Sequence, residues 1–203
     1  QNLPEFWNHS IYHHFTNHGI THSRRIYEIL SQLVYQLPSD IQLNEVEWFI
    51  LSVAVWIYDT GMQSPSNESG DKTDSRDDTE NSSNQRLSIN SIEEIRKKKH
   101  FLSQQLIFDS KSGNKTRPIL PIGFLPKPYI VAIAEVCRWC SDDNLNLVHD
   151  AYVVDGSPVR IRLLVALLRI ADQLYFDSSR IEPDLLLQAK FPDDQLAYWL
   201  AFP

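Results

Sequence analysis

Two aspartates and two histidines are the residues of this sequence best suited to chemistry. Asp59 directly follows the apolar run "VAVWIY", and Asp172 follows "LLRIA". His22 lies in "GITHS" and His100 lies in "RKKKH". A buried carboxylate without a partner is costly, so each aspartate requires a basic side chain or a metal ion nearby.

A metal site is one way to satisfy these four side chains. Mixed imidazole and carboxylate ligands are typical of Mn, Fe, Zn or Mg, with water completing the shell. If the four residues converge inside one helical bundle, they form such a site. Taken singly, each has a structural interpretation, because an aspartate at a helix end is more often a cap or an arginine partner. A single histidine is more often a hydrogen-bonded core or surface group.

Helical periodicity supplies the elements that would position these groups. "THSRRIYEILSQLVYQL" places apolar residues three and four apart and ends at Pro38. "LNEVEWFILSVAVWIYD" carries Asn44 as N-cap and Glu47 three residues later, which is the capping-box arrangement. "SIEEIRKKKHFLSQQLIF" repeats this arrangement at Ser91 and Glu94.

The second half of the chain predicts further helices. "PYIVAIAEVCRWC" has Pro128 in its first turn, "PVRIRLLVALLRIADQLYF" is strongly apolar, and a shorter helix should run from Asp193 to the end. "NLVHDAYVVDGSPVRI" leaves two alternatives open, a small β-hairpin turning at Asp-Gly or a helix capped at Ser157. We expect one all-α domain over residues 1–203, a bundle of about six or more helices with room for one small β-hairpin.

Residues 63–90 interrupt this pattern with a stretch that contains almost nothing apolar. Such a segment cannot bury enough surface to offset its ordering entropy, so we predict a flexible polar loop. A long loop inside a domain is commonly a lid, a partner site or a tolerated insertion. Insertion is the interpretation we favour.

Composition and charge disfavour several classes of function. The 203 residues carry a net charge of −7 and a pI near 5.4, which makes nucleic acid and anionic membranes poor partners. No apolar run is long enough to span a bilayer, and we see no signal-peptide pattern at the start of the sequence. Cys137 and Cys140 form a single C-x-x-C, which favours core thiols over zinc or redox chemistry. We expect a cytoplasmic protein, and because both ends look cut, one domain of a longer chain.

Four motifs, "HGITHS", "YDTGM", "IRKKKH" and "LLRIADQLYFDSSRI", occur in this order over roughly residues 10–185. Their order resembles that of the HD superfamily of metal-dependent phosphohydrolases. The last motif is the most specific of the four. The closest resemblance is to the HD-CE type of domain, which is found in multidomain bacterial proteins beside GHKL-type ATPase domains.

The resemblance implies a role for each of the four residues. His22, Asp59 and Asp172 correspond to metal ligands, and Asp59 also orients the metal-bound water that attacks a phosphoester. His100 matches an additional catalytic histidine that supports a second metal or the substrate phosphate. The implied cofactor is a divalent ion, Mn, Fe, Zn or Mg, which supplies Lewis-acid charge and lowers the pKa of bound water.

The sequence departs from the family pattern at two positions. Tyr58 stands where the family has the histidine of its His-Asp doublet, and Cys140 stands where many relatives have a further histidine. A phenol, with an ordinary pKa near 10, is a poor metal ligand at neutral pH. We therefore expect a metal-poor site, and we expect Tyr58→His to raise its metal occupancy.

Arginines and one histidine are the candidates for binding a small phosphate-containing ligand, because a guanidinium fits phosphate oxygens bidentately. These candidates are His18, Arg96, Arg162, Arg169 and Arg180. For each arginine, a structural ion pair with a buried aspartate is an equal alternative.

These observations favour a degenerate HD domain that acts as a ligand-binding or regulatory module, attached to an effector domain in a multidomain bacterial protein. The alternative is a metal-dependent phosphohydrolase acting on a nucleotide or another phosphoester. Tyr58 and Cys140 favour the first function over the second. A purely structural helical domain agrees least with the set of motifs.

Overall fold

The computed structural model describes residues 20–63, 89–113, 120–141 and 144–175, with only the backbone described at 62–63 and 89–97. In chain order, its elements are α1 (Ile20–Tyr35), α2 (Glu45–Ile57), a 3-10 helix (Thr60–Gln63), α3 (Ile89–Ser112), α4 (Lys127–Trp139), a second 3-10 helix (Leu145–Leu147), β1 (Tyr152–Val154), β2 (Ser157–Val159) and α5 (Ile161–Leu174).

This architecture confirms the predicted fold class. The described residues form one compact, mostly helical domain with five α-helices and a single small antiparallel hairpin. The predicted loop at 63–90, apart from its two ends, and the predicted helix after Asp193 lie outside the described residues. Within the described ranges, none of the helices combines the length and the apolarity that crossing a bilayer requires.

The core lies where the apolar faces of the helices meet. Fully buried residues at its centre are Ile26 on α1, Ile50 on α2, Leu106 on α3, Ile133 on α4 and Leu164 on α5. The spacing of the apolar residues at three and four, read from the sequence, therefore marks the faces that the helices bury.

Helix α2 is fixed at its N-terminus to the start of α5. The predicted capping box is confirmed, since Asn44 Oδ1 accepts from the Glu47 backbone N–H and Glu47 Oε2 accepts from that of Asn44. The Asn44 side chain also donates to the Pro158 carbonyl at 2.8 Å. Arg160 completes the connection by donating to the Glu47 carboxylate through its backbone N–H, Nε and Nη2.

The same two helices meet again at their other ends. The hydroxyl of Tyr58, the C-cap of α2, donates to Asp172 in the last turn of α5. Helices α2 and α5 therefore run in the same direction, held by the Glu47–Arg160 pair at their N-terminal ends and by the Tyr58–Asp172 bond about 17 Å further along.

The hairpin settles the alternative that the sequence left open at "VVDGSPV". Val154 pairs with Ser157, and the intervening Asp155 and Gly156 have φ angles of 49° and 77°. Left-handed conformations at both turn residues are typical of the tight Asp-Gly hairpin. Helix α5 consequently begins at Ile161, and Ser157 is a strand residue instead of a helix cap.

The starts of α3 and α4 can also be compared with the sequence prediction. Helix α3 begins at Ile89, so the predicted cap position Ser91 lies inside the helix. This start was wrong because Ile89 and Asn90, which read as loop in the sequence, are already helical. Helix α4 has Pro128 in its first turn, as predicted.

Candidate functional site

Three of the predicted site residues converge at one end of the bundle. His22 projects inward from the first turn of α1, Asp59 directly follows α2 and its C-cap, and Asp172 lies in the last turn of α5. His22 Nε2 is 3.5 Å from Asp59 Oδ2 and 3.5 Å from Asp172 Oδ1. His22 and Asp59 are buried, with Asp59 1% exposed, whereas the Asp172 side chain is 29% exposed.

Tyr58 joins the histidine to the second aspartate. Its hydroxyl oxygen is 2.7 Å from His22 Nε2 and 3.2 Å from Asp172 Oδ1. The phenol has one hydrogen, so when it donates to Asp172, the shorter contact requires His22 Nε2 to carry a hydrogen and donate to the phenol oxygen. The arrangement is a hydrogen-bonded chain, His22–Tyr58–Asp172.

Lys99 neutralises the first aspartate. Its ammonium nitrogen is 2.8 Å from Asp59 Oδ1, and the lysine side chain is only 18% exposed. An ion pair with so little exposure is less screened by water than one on the surface. A buried carboxylate needs either a basic side chain or a metal ion as its partner, and Asp59 has the basic side chain of Lys99.

Lys99 is the member of this cluster that sequence reasoning missed. It lies in "RKKKH", a run that covers every side of a helix and reads as a solvated face. A signal was nevertheless present, because Lys99 precedes Ser103, Leu106 and Ser110 at spacings of four, three and four. These three residues are buried, so Lys99 continues the inward face of α3.

A close approach between α3 and the 3-10 helix Thr60–Gln63 positions Lys99. The Gly61 N–H donates to Ser103 Oγ at 2.8 Å, and Ser103 Oγ donates to the Tyr58 carbonyl at 2.7 Å. A Cβ atom at Gly61 would collide with the Lys99 carbonyl and lie 2.7 Å from the Ser103 nitrogen. Only glycine permits this contact, which brings the Lys99 side chain beside Asp59.

The cluster's electrostatics keep the phenol protonated and the lysine charged. Burial raises the pKa of Tyr58 well above its usual value, and the Asp59 and Asp172 carboxylates raise it further. Burial by itself would lower the pKa of Lys99, but the attraction and hydrogen bond of Asp59, together with the negative potential of Cys140 and Asp172, outweigh it, so the pKa lies above the ordinary lysine value. At neutral pH, Tyr58 is therefore a hydrogen-bond donor and Lys99 a cation.

His100 and Cys140 lie on the elements that surround the cluster. His100 is buried beside the Phe101 ring, with ring centroids 4.4 Å apart. It follows Lys99 on α3, and successive helical residues point about 100° apart, so the two side chains leave the helix in different directions. Cys140 is the buried C-cap of α4, and its thiol donates to the Cys137 carbonyl.

Cys137 and Cys140 are core thiols, as the sequence predicts. Both are free and buried. Burial raises the pKa of the Cys140 thiol to about 12, with Lys99 opposing the shift and Asp59 adding to it.

The two phosphate-binding candidates whose side chains the structure describes, Arg162 and Arg169, lie apart on α5. Arg169 is half-buried and lies one turn before Asp172 on α5. Arg162 is exposed at the other end of α5, about 15 Å along the helix from Asp172. There its side chain donates to the Val148 carbonyl, and its backbone N–H donates to Asp150. The candidate side chains of His18, Arg96 and Arg180 lie outside the described residues.

Comparison with known proteins assigns the fold to a family. The sequence profile of the HD-CE family matches residues 12–202. The chain belongs to the HD-CE family. The matched range includes every helix and strand described above, so this one domain type accounts for nearly the whole chain. No curated protein and no solved structure matches it.

In this HD-CE domain, two distances from His22 to the aspartates are compatible with a shared metal ion. A tetrahedral ion with bonds of ~2.1 Å separates its ligand atoms by about 3.4 Å. The distances from His22 Nε2 to Asp59 Oδ2 and to Asp172 Oδ1, each 3.5 Å, agree with that value. The position of Tyr58 and Lys99 then decides whether an ion fits.

Both residues oppose a divalent ion. The Tyr58 oxygen is 2.7 Å from His22 Nε2, closer than the about 3.0 Å between neighbouring ligand atoms set at right angles on one ion, and typical of a hydrogen bond. The Lys99 ammonium holds the carboxylate that would attract the ion. Among the described residues, no three His, Cys, Asp or Glu side chains are arranged to hold a metal. The side chains as placed do not fit a divalent ion.

Proposed function

We propose that this HD-CE domain is a ligand-binding, regulatory module of a multidomain bacterial protein. The observation that supports the proposal is the position of Tyr58, whose hydroxyl connects His22 to Asp172 where the HD phosphohydrolases that the motifs resemble carry a histidine. A protonated phenol stabilises the pocket by hydrogen bonding, but it neither binds an ion strongly nor activates a water.

The polar edge of the cluster supports a proposal for the class of ligand. Asp172 and Lys99 are partly exposed, while His22 and Asp59 lie behind them. The ammonium of Lys99 has three donors and the half-buried Arg169 lies one turn from Asp172, so both can donate to an anionic oxygen. A small phosphate-containing ligand is the class that we propose.

The elements that this edge joins support a regulatory role. Lys99 belongs to α3, Asp172 to α5, and Tyr58 to the end of α2. A ligand that contacts Lys99 and Asp172 together would stabilise one arrangement of these helices relative to another. Such a difference in stability is what an attached effector domain can sense.

Thermal unfolding in the presence of EDTA tests the binding function. Phosphate, pyrophosphate and nucleoside mono-, di- and triphosphates are compared, and a binder at 100 times its Kd stabilises the fold by about 2.7 kcal/mol. We expect at least one compound to raise the midpoint, and Arg169→Met to remove the effect. Arg24→Met is the matched control, because Arg24 is exposed on α1 and pairs only with its neighbour Glu28 among the described contacts.

The metal-dependent phosphohydrolase is the second candidate, and the two 3.5 Å distances favour it. Its test is hydrolysis of a general phosphoester in the presence of Mn²⁺. We expect no turnover above that of the buffer. Robust turnover with one bound metal ion per chain, both lost in Asp59→Ala, would replace the proposed function with this one.

A further inference from the structure

We propose that Lys99 is the resident cation of the cluster, and that Lys99 and Tyr58 together exclude divalent metal ions from it. Lys99 supplies the positive charge beside Asp59, and Tyr58 supplies the hydrogen bonds for His22 and Asp172. The inference does not depend on which ligand the domain binds.

The first ground is the pairing of the two carboxylates. Asp59, at 1% exposure, has the Lys99 ammonium at 2.8 Å, and Asp172 has the Tyr58 hydroxyl at 3.2 Å. The charge of Asp59 is thus neutralised by the chain itself, and the partly exposed Asp172 accepts a hydrogen bond from it. Removing one partner of a buried pair leaves an uncompensated charge, which is strongly unfavourable.

The second ground is that the position of Lys99 is built into the fold. Gly61 and Ser103 bring the backbone of α3 against the 3-10 helix after Asp59. The packing of these two elements therefore places Lys99 beside Asp59. An ammonium held at this place repels a divalent ion approaching the same carboxylate.

The third ground is the geometry of Tyr58. Its oxygen makes a 2.7 Å contact with His22 Nε2, the imidazole atom that faces both aspartates. An ion would have to displace the phenol to reach that nitrogen. Because Lys99 and Tyr58 act on different ligand atoms, removing either one leaves the other obstacle in place.

With Lys99 beside Asp59, replacing Tyr58 alone no longer suffices to create a metal site. From the sequence, Tyr58→His should be enough to raise metal occupancy. From the structure, Tyr58→His should remain metal-poor while Lys99 is present, and Lys99→Met should remain metal-poor while Tyr58 is present. Only the double variant Tyr58→His/Lys99→Met should gain a site.

Calorimetric titration with Mn²⁺ and Zn²⁺ tests the proposal on the 203-residue chain. The double variant should bind one ion per chain at least about tenfold more tightly than either single variant. Changes in the residues that surround metal ligands typically alter metal affinity by about 10- to 100-fold. Tyr58→His/Lys98→Met is the matched control, since Lys98 is the exposed neighbour of Lys99. It should bind no better than Tyr58→His. Equal affinity of the control and the double variant would overturn the role of Lys99.

A measurement on the unmodified chain covers the case in which the double variant does not fold. The ring signals of His22, assigned by their loss in His22→Gln, are followed by NMR during addition of Mn²⁺. They should remain sharp at one equivalent, because the ion is kept away from the imidazole. Disappearance of these signals at one equivalent would overturn the proposal.

Discussion

Replacing Glu47 by glutamine should destabilise the domain and weaken the connection between α2 and α5. The Glu47 carboxylate is fully buried and accepts four hydrogen bonds, three from Arg160 and one from the Asn44 backbone. Glutamine keeps the volume but removes the charge, and it turns an NH₂ group toward N–H donors. The remaining Arg160 charge would then lack its partner.

The size of the effect follows from the exposure of the two partners. Breaking a fully buried ion pair costs about 3–5 kcal/mol. The Arg160 side chain is 36% exposed, so water can solvate the arginine that is left, and we expect a loss of about 2–3 kcal/mol. This is a large part of the stability of an ordinary domain.

The pH dependence provides a second, independent measure. Burial raises the pKa of Glu47, but hydrogen bonds from Arg160 and Asn44 outweigh it, so the pKa lies below the ordinary 4.5. The charged pair therefore stabilises the fold above pH 4.5, and this contribution disappears as the pH falls through the lowered pKa. The cost of Glu47→Gln should shrink in the same range.

Urea unfolding near pH 7 and again at about pH 3.5 checks both parts. Glu45→Gln is the control, because Glu45 is an exposed carboxylate in the same first turn of α2. A Glu47→Gln loss within about 0.5 kcal/mol of the control at pH 7 would contradict the magnitude. An equal loss at both pH values would contradict the assignment of the effect to the charge.

Three further predictions concern the packing around the cluster. Ser103→Ala should lower the free energy of unfolding in urea by about 1–3 kcal/mol, because it leaves the buried Gly61 N–H and Tyr58 carbonyl without their hydrogen bonds. Ser52→Ala is the control and should cost little, because the Ser52 hydroxyl has no partner among the described residues. Gly61→Ala should destabilise by about 1–3 kcal/mol or more, since its Cβ would meet the backbone of α3; a stability equal to that of the unmodified protein would contradict the close approach. Cys137 and Cys140 should react with a thiol reagent at neutral pH only after unfolding, because both are buried and the pKa of Cys140 is about 12; rapid reaction of either thiol in the native protein would show that it is accessible.

The sequence by itself determined the local structure and the family. The apolar spacing identified the inward faces of the helices, the Asn44–Glu47 pair identified the start of α2, and the motifs around Asp59 and Asp172 indicated an HD-type domain. These features could be read because each depends on residues a few positions apart, where helix geometry fixes which side chains are neighbours.

Tertiary structure decided how the buried charges are paired. The partner of Asp59 is Lys99, 40 positions away, and the partner of Glu47 is Arg160, 113 positions away. In "RKKKH" several basic side chains are available, and the packing of α3 against Gly61 selects the one that turns inward. Local periodicity cannot supply such a choice, because it depends on how two helices that are distant in sequence are rotated against each other.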